Sequence, residues 1–372
     1  MHEIWFWQRI ISPHMAGLAV ALVRQGCRVT YVAEAAMSAD RASQGWTTPV
    51  LTGVELKYAT NSLSIKELAR NAPEDAVHIC QGIRSNGLIS IAQRELAMRC
   101  ARQWVVMETV NDAVWYGALK RTEYSRLFNA FGARLQGVLA TGHSTTDWVA
   151  ARGFTANSVF PFAYFLPDNA GFFPSEPHTT KPFRFVFAGQ LIARKRVDWL
   201  FEAFCSHTHQ EFEIRIVGNG PDEPGLRALA ERTLGNRVSW LGQLPLSEVP
   251  RVMTQADCLV LPSIHDGWGA VASESLMVGT PVVCSDACGV AGVVQASAVG
   301  GVFPVKDKLA LTQLLAAQLA QGTVSREKRR QIADWATCLG AASGAAYLQE
   351  ILNFKATNQG ARPVVPWLRE SR

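Results

Sequence analysis

The stretch EIWFWQRIISPHMAGLAVALVRQGCRVTYVA, residues 3–33, decides the fold. An apolar run, EIWFW, is followed by a helical pattern, HMAGLAVALVRQG, and then by a second apolar run, RVTYVA. Gly26 stands where the helix should stop, because glycine just after the last helical residue is a common stop signal. A strand, a crossover helix and a second strand form the unit from which parallel sheets are built. The stretch therefore predicts the first βαβ unit of an α/β domain.

The same alternation of apolar runs and helical patterns continues along the chain. AVHICQG, QWVVMET and GVLATG extend it in the first half, and FRFVFAG, FEIRIVG, RVSWLG, DCLVLPS and PVVCSD restart it in the second. These runs are almost continuously apolar, as strands buried on both faces of a parallel sheet are. The predicted fold class is therefore α/β, with two doubly wound, Rossmann-like domains. In such sheets ligands bind beyond the carboxyl ends of the strands.

The two series are separated by residues 166–181, LPDNAGFFPSEPHTTK, which contain three prolines. Proline, asparagine and glycine interrupt helices and strands, so this segment is predicted to be a linker. The prediction places an N-terminal domain at residues 1–165 and a C-terminal domain at residues 182–345. Residues 346–372 are predicted to form a helix and a tail, because YLQEIL is apolar at helical spacing.

The composition limits the class of protein. The chain has 372 residues, about the size of two domains, and it is 48% hydrophobic and 18% charged, as globular proteins are. Its net charge of +5 is not gathered into a basic run, which argues against a nucleic-acid-binding protein. No apolar stretch is long enough to span a membrane, and MHEIWFWQRI lacks the features of a signal peptide. The eight cysteines form no C-x-x-C pair, so reduced thiols and a cytoplasmic location are expected.

HDGWGAVASESLMVGTPVV, residues 265–283, contains more glycine and acidic residues than a strand followed by a helix requires. Gly267 and Gly269 allow a ligand to approach the main chain closely. A helix that starts here leaves its first amides without partners inside the helix, which makes them an anion-binding site. The predicted amide donors are Gly269, Ala270 and Val271. Trp268, which precedes them, is also predicted to contact the ligand.

Two acidic residues flank these amides. Glu274 is predicted to face the same crevice, where a carboxylate accepts hydrogen bonds from two adjacent hydroxyls, as in ribose binding. Asp266 precedes the anion site and is placed to bind hydroxyls further along the ligand. A phosphate between a ribose and a polyhydroxylated group describes a nucleotide sugar. Taken alone, Glu274 is better explained as an acid favoured by the helix dipole.

FAGQLIARKRVDWL, residues 187–200, is another polar stretch in this half. A strand is predicted to end at Gly189 and a helix to begin near Arg196. The helix start then carries Arg194, Lys195 and Arg196. Cations there oppose the helix dipole, and a bound anion would neutralise both. The alternative is a solvated basic loop without a ligand.

The spacing of Asp266 and Glu274, D-x7-E, resembles the E-x7-E signature of retaining glycosyltransferases of the group 1 family, in a subset that carries D-G-W-G. FAGQLIARKRVDWL is similar to that family's G-R-L-x-x-x-K-G segment, which places Lys195 at the diphosphate-binding lysine. RVSWLGQLP and ADCLVLPS match in place and order, while ISPHMAGL and SVFPFAYF are similar to segments of the N-terminal domain. The resemblance is strongest over residues 180–290. It implies the GT-B architecture, with two Rossmann-like domains facing a central cleft.

The chain departs from the family pattern at three positions. Gln190 stands where the family usually has a diphosphate-binding arginine, and Arg196 replaces the glycine after the lysine. Asp266 is one methylene shorter than the usual glutamate. Arg194 is the candidate to supply the charge that Gln190 lacks.

The resemblance implies transfer of a sugar from a nucleotide-diphosphate sugar to a hydroxyl acceptor with retention of configuration. The expected acceptor is a saccharide or a lipid-linked saccharide in bacterial surface polysaccharide synthesis. Lys195 and the helix-start amides would stabilise the charge that develops on the leaving diphosphate. The sequence contains no D-x-D motif, so we expect neither a metal nor any cofactor beyond the nucleotide sugar. Members of this family end in a helix that packs back on the first domain, and residues 346–372 are expected to do the same.

The acceptor side is predicted to lie in the first domain. His14 follows the first strand and Glu108 ends the strand WVVME, so both stand at carboxyl ends and either one can orient or deprotonate the acceptor hydroxyl. His14 fits equally well as a helix-start residue bonded to main chain. The helix NDAVWYGALKRTEYSRLF offers a surface for an acceptor or for peripheral contact with the inner face of a membrane, although such residues usually form core and solvated face. The residues concerned are Trp115, Tyr116, Lys120 and Arg121.

Two other classes of function fit the same architecture. A nucleotide-sugar epimerase uses the same two-domain frame, and the Gln190 departure is compatible with a module that binds a nucleotide without turnover. Release of free nucleoside diphosphate only in the presence of an acceptor distinguishes a transferase from both.

Overall fold

The computed structural model describes residues 2–84, 86–167, 182–205, 210–357 and 359–369. The chain divides into two compact units, which combine separate parts of the sequence. Unit 1 consists of Met1–Ser43, Thr47–Asp168 and Leu339–Glu370, and unit 2 of Gln44–Trp46, Asn169–Cys338 and Ser371–Arg372. Of the predicted linker 166–181, residues 168–181 lie outside the described residues.

Unit 1 is built on one parallel sheet of seven strands. In chain order the strands are β1 (Glu3–Ile10), β2 (Arg28–Ala35), β3 (Glu55–Tyr58), β4 (Val77–Gln81), β5 (Arg102–Glu108), β6 (Leu135–Thr141) and β7 (Val159–Phe162). They lie side by side in the order β3-β2-β1-β4-β5-β6-β7. The helices between them are α1 (Pro13–Arg24), α2 (Ala39–Ser43), α3 (Ser62–Asn71), α4 (Ile89–Met98), α5 (Gly117–Phe131) and α6 (Thr145–Ala150).

The first βαβ unit forms where the opening stretch predicts it. The side chain of Ser12 accepts a hydrogen bond from the Met15 amide at 3.4 Å, and Pro13 occupies the first turn of α1, where no amide hydrogen is needed. Gly26 has φ +89°, a left-handed conformation that glycine adopts without steric cost, and the chain turns there into β2. Trp7 of β1 is completely buried, because both faces of this central strand are covered.

Unit 2 repeats the arrangement with six parallel strands. They are β8 (Phe183–Ala188), β9 (Phe212–Val217), β10 (Val238–Gly242), β11 (Cys258–Leu261), β12 (Val282–Ser285) and β13 (Gly300–Phe303), in the order β10-β9-β8-β11-β12-β13. The helices are α7 (Val197–Phe204), α8 (Glu223–Leu234), α9 (Val249–Thr254), α10 (Ala270–Met277), α11 (Ala291–Ser297), α12 (Lys308–Gln321) and α13 (Arg326–Ala336). The predicted α/β fold class is confirmed.

The last helix, α14 (Ala341–Thr357), belongs to unit 1. It packs against α1, and the Tyr347 hydroxyl donates a hydrogen bond to the Pro161 carbonyl of β7 at 3.0 Å. Gly344 packs so closely against the ring of Phe165 that a Cβ at this position would stand 2.2 Å from the ring. The predicted boundary at residue 346 therefore falls inside a continuous helix, and unit 1 resumes seven residues earlier, at Leu339.

The strand order of both sheets creates a switch point. The chain starts in the middle of each sheet, builds outward to one side and then crosses to the other, so that β1 and β4 are neighbours in unit 1 and β8 and β11 in unit 2. Crossover helices leave such a neighbouring pair on opposite faces, which opens a crevice at the carboxyl ends of the two strands. A ligand site is therefore expected at the loops after β8 and β11 in unit 2 and at those after β1 and β4 in unit 1.

Candidate active site

The loops after β8 and β11 meet through an ion pair. Lys195 ends a short 3-10 turn, Ala193–Lys195, and only 8% of the residue is exposed. Its ammonium group forms a hydrogen-bonded ion pair with the carboxylate of Asp266, which follows β11. The two residues are 71 positions apart in the chain, and the switch point brings them together. Because Lys195 is buried and paired, the alternative of a solvated basic loop is wrong for this residue.

The two arginines beside Lys195 have partners of their own. The Arg194 guanidinium donates to the His265 carbonyl at 3.0 Å, and the Ile264 amide donates to the Arg194 carbonyl at 2.8 Å, so Arg194 holds the two loops together. Arg196 pairs with Asp198 and lies over the Trp199 ring at 4.5 Å. The helix predicted to begin near Arg196 begins one residue later, at Val197.

Arg196 has a backbone conformation that arginine rarely adopts. Its φ of +52° and ψ of +43° are left-handed, which costs a non-glycine residue about 1–2 kcal/mol. The group 1 resemblance places a glycine at this position, and the conformation explains why. The contacts of Arg196 with Asp198 and Trp199 offset part of that cost, and they direct the guanidinium to its own helix.

Asp266 is fixed through its main chain. Its amide donates to the Ala287 carbonyl at 3.2 Å, and its carbonyl accepts from the Gly289 amide at 2.9 Å. The loops cross so closely that a Cβ on Gly289 would lie 2.1 Å from the Gly267 carbonyl oxygen. The carboxylate that reaches Lys195 therefore starts from a rigid backbone.

Trp268 does not offer its side chain to a ligand. The residue is 3% exposed, and its indole nitrogen donates to the Ser273 hydroxyl of α10 at 3.1 Å. Its carbonyl accepts from the Val290 amide at 2.7 Å. The Trp268 ring fills the core beneath the loop and holds the start of α10, so the predicted donor contact of this residue stays a prediction for its main chain.

Helix α10 begins immediately after this anchor. Gly269 takes φ +91° at the N-cap, and the Ala272 amide is bonded to the Gly269 carbonyl at 2.8 Å. The amides of Ala270 and Val271 precede that bond, so they have no partner within the helix. Amides in this position are able to bind an anion, and these two lie at the carboxyl end of β11, beside the Lys195–Asp266 pair.

Glu274 is four residues after Ala270, so its side chain shares a helix face with the first turn of α10. The residue is half-buried. Burial raises the pKa of its carboxyl from 4.5 to about 7, because removing a carboxylate from water disfavours the charged form. A carboxyl with such a pKa next to helix-start amides is typical of a functional site.

The loop after β9 packs closely against the loop after β8. A Cβ on Gly218 would lie 2.0 Å from the Gly189 carbonyl oxygen, and one on Gly220 would lie 2.3 Å from that of Leu191. The G-x-G pair therefore serves close packing. Gln190 is half-buried within this loop, at the position where the resemblance expects an arginine.

A second cluster lies at the carboxyl end of the unit 1 sheet. His14 stands in the first turn of α1, after β1, and Glu108 is the last residue of β5. Tyr164, two residues after β7, connects them: its hydroxyl donates to Glu108 Oε1, and its ring stacks on His14 with centroids 4.5 Å apart and planes at 16°. Sequence reasoning identified His14 and Glu108 but missed Tyr164. The segment SVFPFAYF, noted for its resemblance to the family, was the available signal.

The protonation states in this cluster follow from burial and charge. Burial, followed by the positive charge of Arg41, lowers the pKa of His14 to about 4, so its imidazole is neutral at neutral pH. Burial, and then the carboxylate of Glu108, raise the pKa of Tyr164 well above 10, so its hydroxyl keeps the proton that it donates. The cluster presents a carboxylate, a phenol and a neutral imidazole.

An apolar surface patch follows the same edge of unit 1. Trp115 is 94% exposed and Leu119, one helical turn later, 70% exposed, with the Tyr116 ring edge-on to Trp115 at 5.2 Å. The Lys120 ammonium lies 4.8 Å from the centre of the Tyr116 ring. We call Trp115, Tyr116 and Leu119 the α5 patch.

The loop that carries the α5 patch is held by Asp112. Its carboxylate accepts hydrogen bonds from the Trp148 indole at 3.0 Å and from Arg121 at 3.2 Å, and it also pairs with Arg152. Burial acts to raise the pKa of Asp112, but the bonds from Trp148 and Arg121 outweigh it, and the pKa lies below its usual value. Gly117 leaves no room for a side chain, since a Cβ would stand 1.8 Å from the Asp112 carbonyl oxygen.

Over the ranges that the structure describes, no three His, Cys, Asp or Glu side chains converge as metal ligands do. None of the helices in those ranges has both the length and the apolar character needed to cross a bilayer.

The architecture has known counterparts. The structure is similar to that of Anabaena Alr3699/HepE in complex with UDP, with a TM-score of 0.71 and 14% identity, over 95% of this chain and 100% of that one. At this identity the likeness shows the fold alone: two Rossmann-like domains of the GT-B type.

Sequence comparison adds the family. Residues 169–336, which contain the Lys195–Asp266 pair, match the family described as glycosyl transferases group 1. A 2-deoxystreptamine glucosyltransferase of Streptomyces kanamyceticus is 36% identical over 131 residues, 35% of this chain and 30% of the relative. The putative colanic acid biosynthesis glycosyltransferase WcaL of Escherichia coli strain K12 is 32% identical over 146 residues, 37% of this chain and 36% of the relative. The chain thus matches about a third of the length of these relatives.

Proposed function

We propose that the protein is a retaining glycosyltransferase that moves a sugar from a nucleotide-diphosphate sugar to a hydroxyl acceptor. The observation that carries the proposal is the buried Lys195–Asp266 ion pair beside the first amides of α10, at the switch point of unit 2. This arrangement combines a cation with helix-start donors, which is what a leaving diphosphate needs. The match of residues 169–336 to the group 1 glycosyltransferase family supports it.

In this proposal, different residues bind three parts of the donor: the diphosphate, the ribose and the transferred sugar. Lys195 and the amides of Ala270 and Val271 bind the diphosphate, where negative charge grows as the glycosidic bond breaks. Glu274 accepts hydrogen bonds from the ribose hydroxyls, and Asp266 binds hydroxyls of the transferred sugar. Because Lys195 is paired with Asp266, donor binding exchanges one anionic partner of the ammonium for another.

Arg194 and Gln190 have different places in the proposal. One N–H group of Arg194 donates to the His265 carbonyl, but a guanidinium has five N–H donors and keeps its positive charge, so Arg194 is able to bind the diphosphate where Gln190 has no charge to offer. Gln190 contributes an uncharged contact from the loop that Gly189 begins. Protein groups neutralise the diphosphate, and on this ground we propose that neither a metal nor another cofactor is required.

We assign the acceptor to unit 1. Glu108 and His14 lie at one carboxyl edge of the sheet and offer a carboxylate and a neutral imidazole to an acceptor hydroxyl. The α5 patch follows the same edge, and aromatic residues with a nearby cation favour the interface of a membrane. We therefore propose a saccharide or lipid-linked saccharide acceptor, with peripheral membrane contact through the α5 patch. The named activities of WcaL and similar relatives support a place in polysaccharide synthesis.

The test is release of free nucleoside diphosphate from a panel of nucleotide sugars, with and without saccharide acceptors. UDP-glucose heads the panel because Alr3699/HepE also has a structure in complex with UDP-glucose. The proposal expects acceptor-dependent release and a product with the anomeric configuration of the donor. Interconversion of nucleotide sugars without release would establish an epimerase, and binding without any turnover would establish a nucleotide-binding module.

A further inference from the structure

We propose that Tyr164 is a positioning residue, which holds the Glu108 carboxylate and the His14 ring in one arrangement for a substrate hydroxyl. The inference rests on the proposed function, because it refines the acceptor side of that reaction. It goes beyond that proposal in assigning the arrangement to a third residue, one that comes 56 positions after Glu108 in the chain.

The sheet explains why a bridging residue is needed. Strand β4 separates β1 from β5, and strand β6 separates β5 from β7. Neighbouring strands are about 4.8 Å apart, so the ends of β1 and β5 are about 10 Å apart, and so are those of β5 and β7. The main chain after β7 runs back toward α1, since a Cβ on Gly17 would stand 3.3 Å from Pro167, and a residue that links both groups must come from this returning segment. Tyr164 meets this requirement, since its hydroxyl reaches Glu108 while its ring lies flat on His14.

The hydrogen bond from Tyr164 orients the Glu108 carboxylate and uses only one of its acceptor positions. A carboxylate has about four acceptor sites, so the bond from Tyr164 to Oε1 orients the group and leaves it able to accept from a substrate hydroxyl. The bond also stabilises the ionised form of Glu108, because a donor to a charged acceptor favours the charge.

The stacking contact fixes the second group. The parallel ring of Tyr164 covers one face of the His14 imidazole and limits its rotation. Arg41 adds a positive charge that acts on both His14 and Tyr164. Within the part of the chain that the structure describes, the charged and titratable groups seen to act on one another here include Glu108, His14, Tyr164 and Arg41.

The experiment separates the hydroxyl from the ring. Tyr164→Phe keeps the stack and removes the hydrogen bond, and Tyr164→Ala removes both. In Tyr164→Phe we expect kcat/KM for the acceptor to fall about 10- to 100-fold, the range for a hydrogen bond to a charged group, with the donor KM unchanged. The acidic limb of the pH profile should move to higher pH, because Glu108 loses the bond that stabilises its carboxylate.

Tyr347→Phe is the matched control. It also removes a tyrosine hydroxyl bond in unit 1, at 3.0 Å to the Pro161 carbonyl, but away from this cluster. Its kcat/KM and pH profile should equal those of the unsubstituted protein at a similar loss of Tm. If Tyr164→Phe matches the unsubstituted protein in both properties, or if Tyr347→Phe shows the same pH shift, then Tyr164 does not position Glu108.

A measurement without turnover keeps this test independent of the proposed function. In an NMR titration His14 should keep its pKa of about 4 in Tyr164→Phe, while in Tyr164→Ala it should rise towards 6.5, because the imidazole gains contact with water. An unchanged His14 pKa in folded Tyr164→Ala would contradict the stacking role. Absence of transfer by the unsubstituted protein, with the NMR result as expected, would refute the glycosyltransferase proposal and leave the positioning role of Tyr164 standing.

Discussion

The two candidate sites of this protein occupy equivalent places in two similar sheets, yet they are built differently. The unit 2 site uses two contiguous loops, and its groups are main-chain amides and one buried ion pair. The unit 1 site uses single side chains from the ends of three strands. A site made of contiguous loops appears in the sequence as motifs. A site made of residues from separated strands comes together only when the chain folds, so no motif marks it.

The largest effect should come from removing the cation of the unit 2 site. Lys195→Met fills the space of the side chain without its charge, and transfer should fall about 10²–10³-fold, the size of losing one preorganised charge stabiliser. Lys308→Met is the control, because Lys308 also pairs with an acid, Glu202, but on the surface of α12. Steady-state rates with both folded variants measure the effect. Full turnover by Lys195→Met would remove this residue from the mechanism.

The raised pKa of Glu274 predicts a pH-dependent stability. The folded protein holds this proton up to about pH 7 and the unfolded chain only up to about 4.5, so the native state loses stability as pH rises between these values. Glu274→Gln removes that loss, and its free energy of unfolding at pH 8 should exceed that of the unsubstituted protein by up to about 3 kcal/mol.

Urea unfolding at several pH values measures this difference. It should vanish below about pH 4.5, where Glu274 is protonated in both states. Glu231→Gln, an exposed acid on α8, should show no such pH dependence. A gain for Glu274→Gln that is the same at pH 5 and pH 8 would mean that burial does not govern this carboxyl.

A smaller effect is expected at the α5 patch. Replacing Trp115 and Leu119 with alanine should weaken binding to vesicles of anionic phospholipid about tenfold or more, because each loses apolar area that the bilayer would bury. Leu309→Ala is the control, an exposed leucine of unit 2. Vesicle flotation distinguishes the two. Equal binding by both variants, or no binding by the unsubstituted protein, would refute membrane contact through the patch.

The smallest expected effect is that of a chelator. Transfer should persist in excess EDTA, since Lys195 and the α10 amides take the place of a metal in the proposed mechanism. Initial rates with and without EDTA, and after adding back magnesium, give the answer. Complete loss that magnesium restores would show that a metal shares the donor site.

The fold class and the unit 2 loops were predictable because periodicity and motif order depend on neighbouring residues. The direction in which a side chain points does not depend on neighbouring residues alone, and two residues show this. Trp268 lies between two glycines in a polar loop and was interpreted as a ligand contact, but its ring is in the core. Tyr164 lies in the mostly apolar segment SVFPFAYF, which does not single it out, but its hydroxyl reaches Glu108. The predicted boundary at residue 346 rests on the apolar pattern YLQEIL, which lies inside α14, whereas unit 1 resumes at Leu339, before that helix begins.

The most direct test of the central claim is calorimetry on the two acids of the unit 2 site, at pH 8, where Glu274 is ionised. Glu274→Gln should weaken nucleoside-diphosphate binding by about 1.5–3 kcal/mol, because an amide is uncharged and has a single acceptor oxygen, whereas a carboxylate offers one charged oxygen to each hydroxyl of a diol. Asp266→Asn should leave that affinity unchanged or raise it, since Lys195 is released from its ion pair, while it weakens binding of the intact nucleotide sugar. Unchanged diphosphate binding in Glu274→Gln, or equal weakening of both ligands in Asp266→Asn, would contradict the proposed division of the donor.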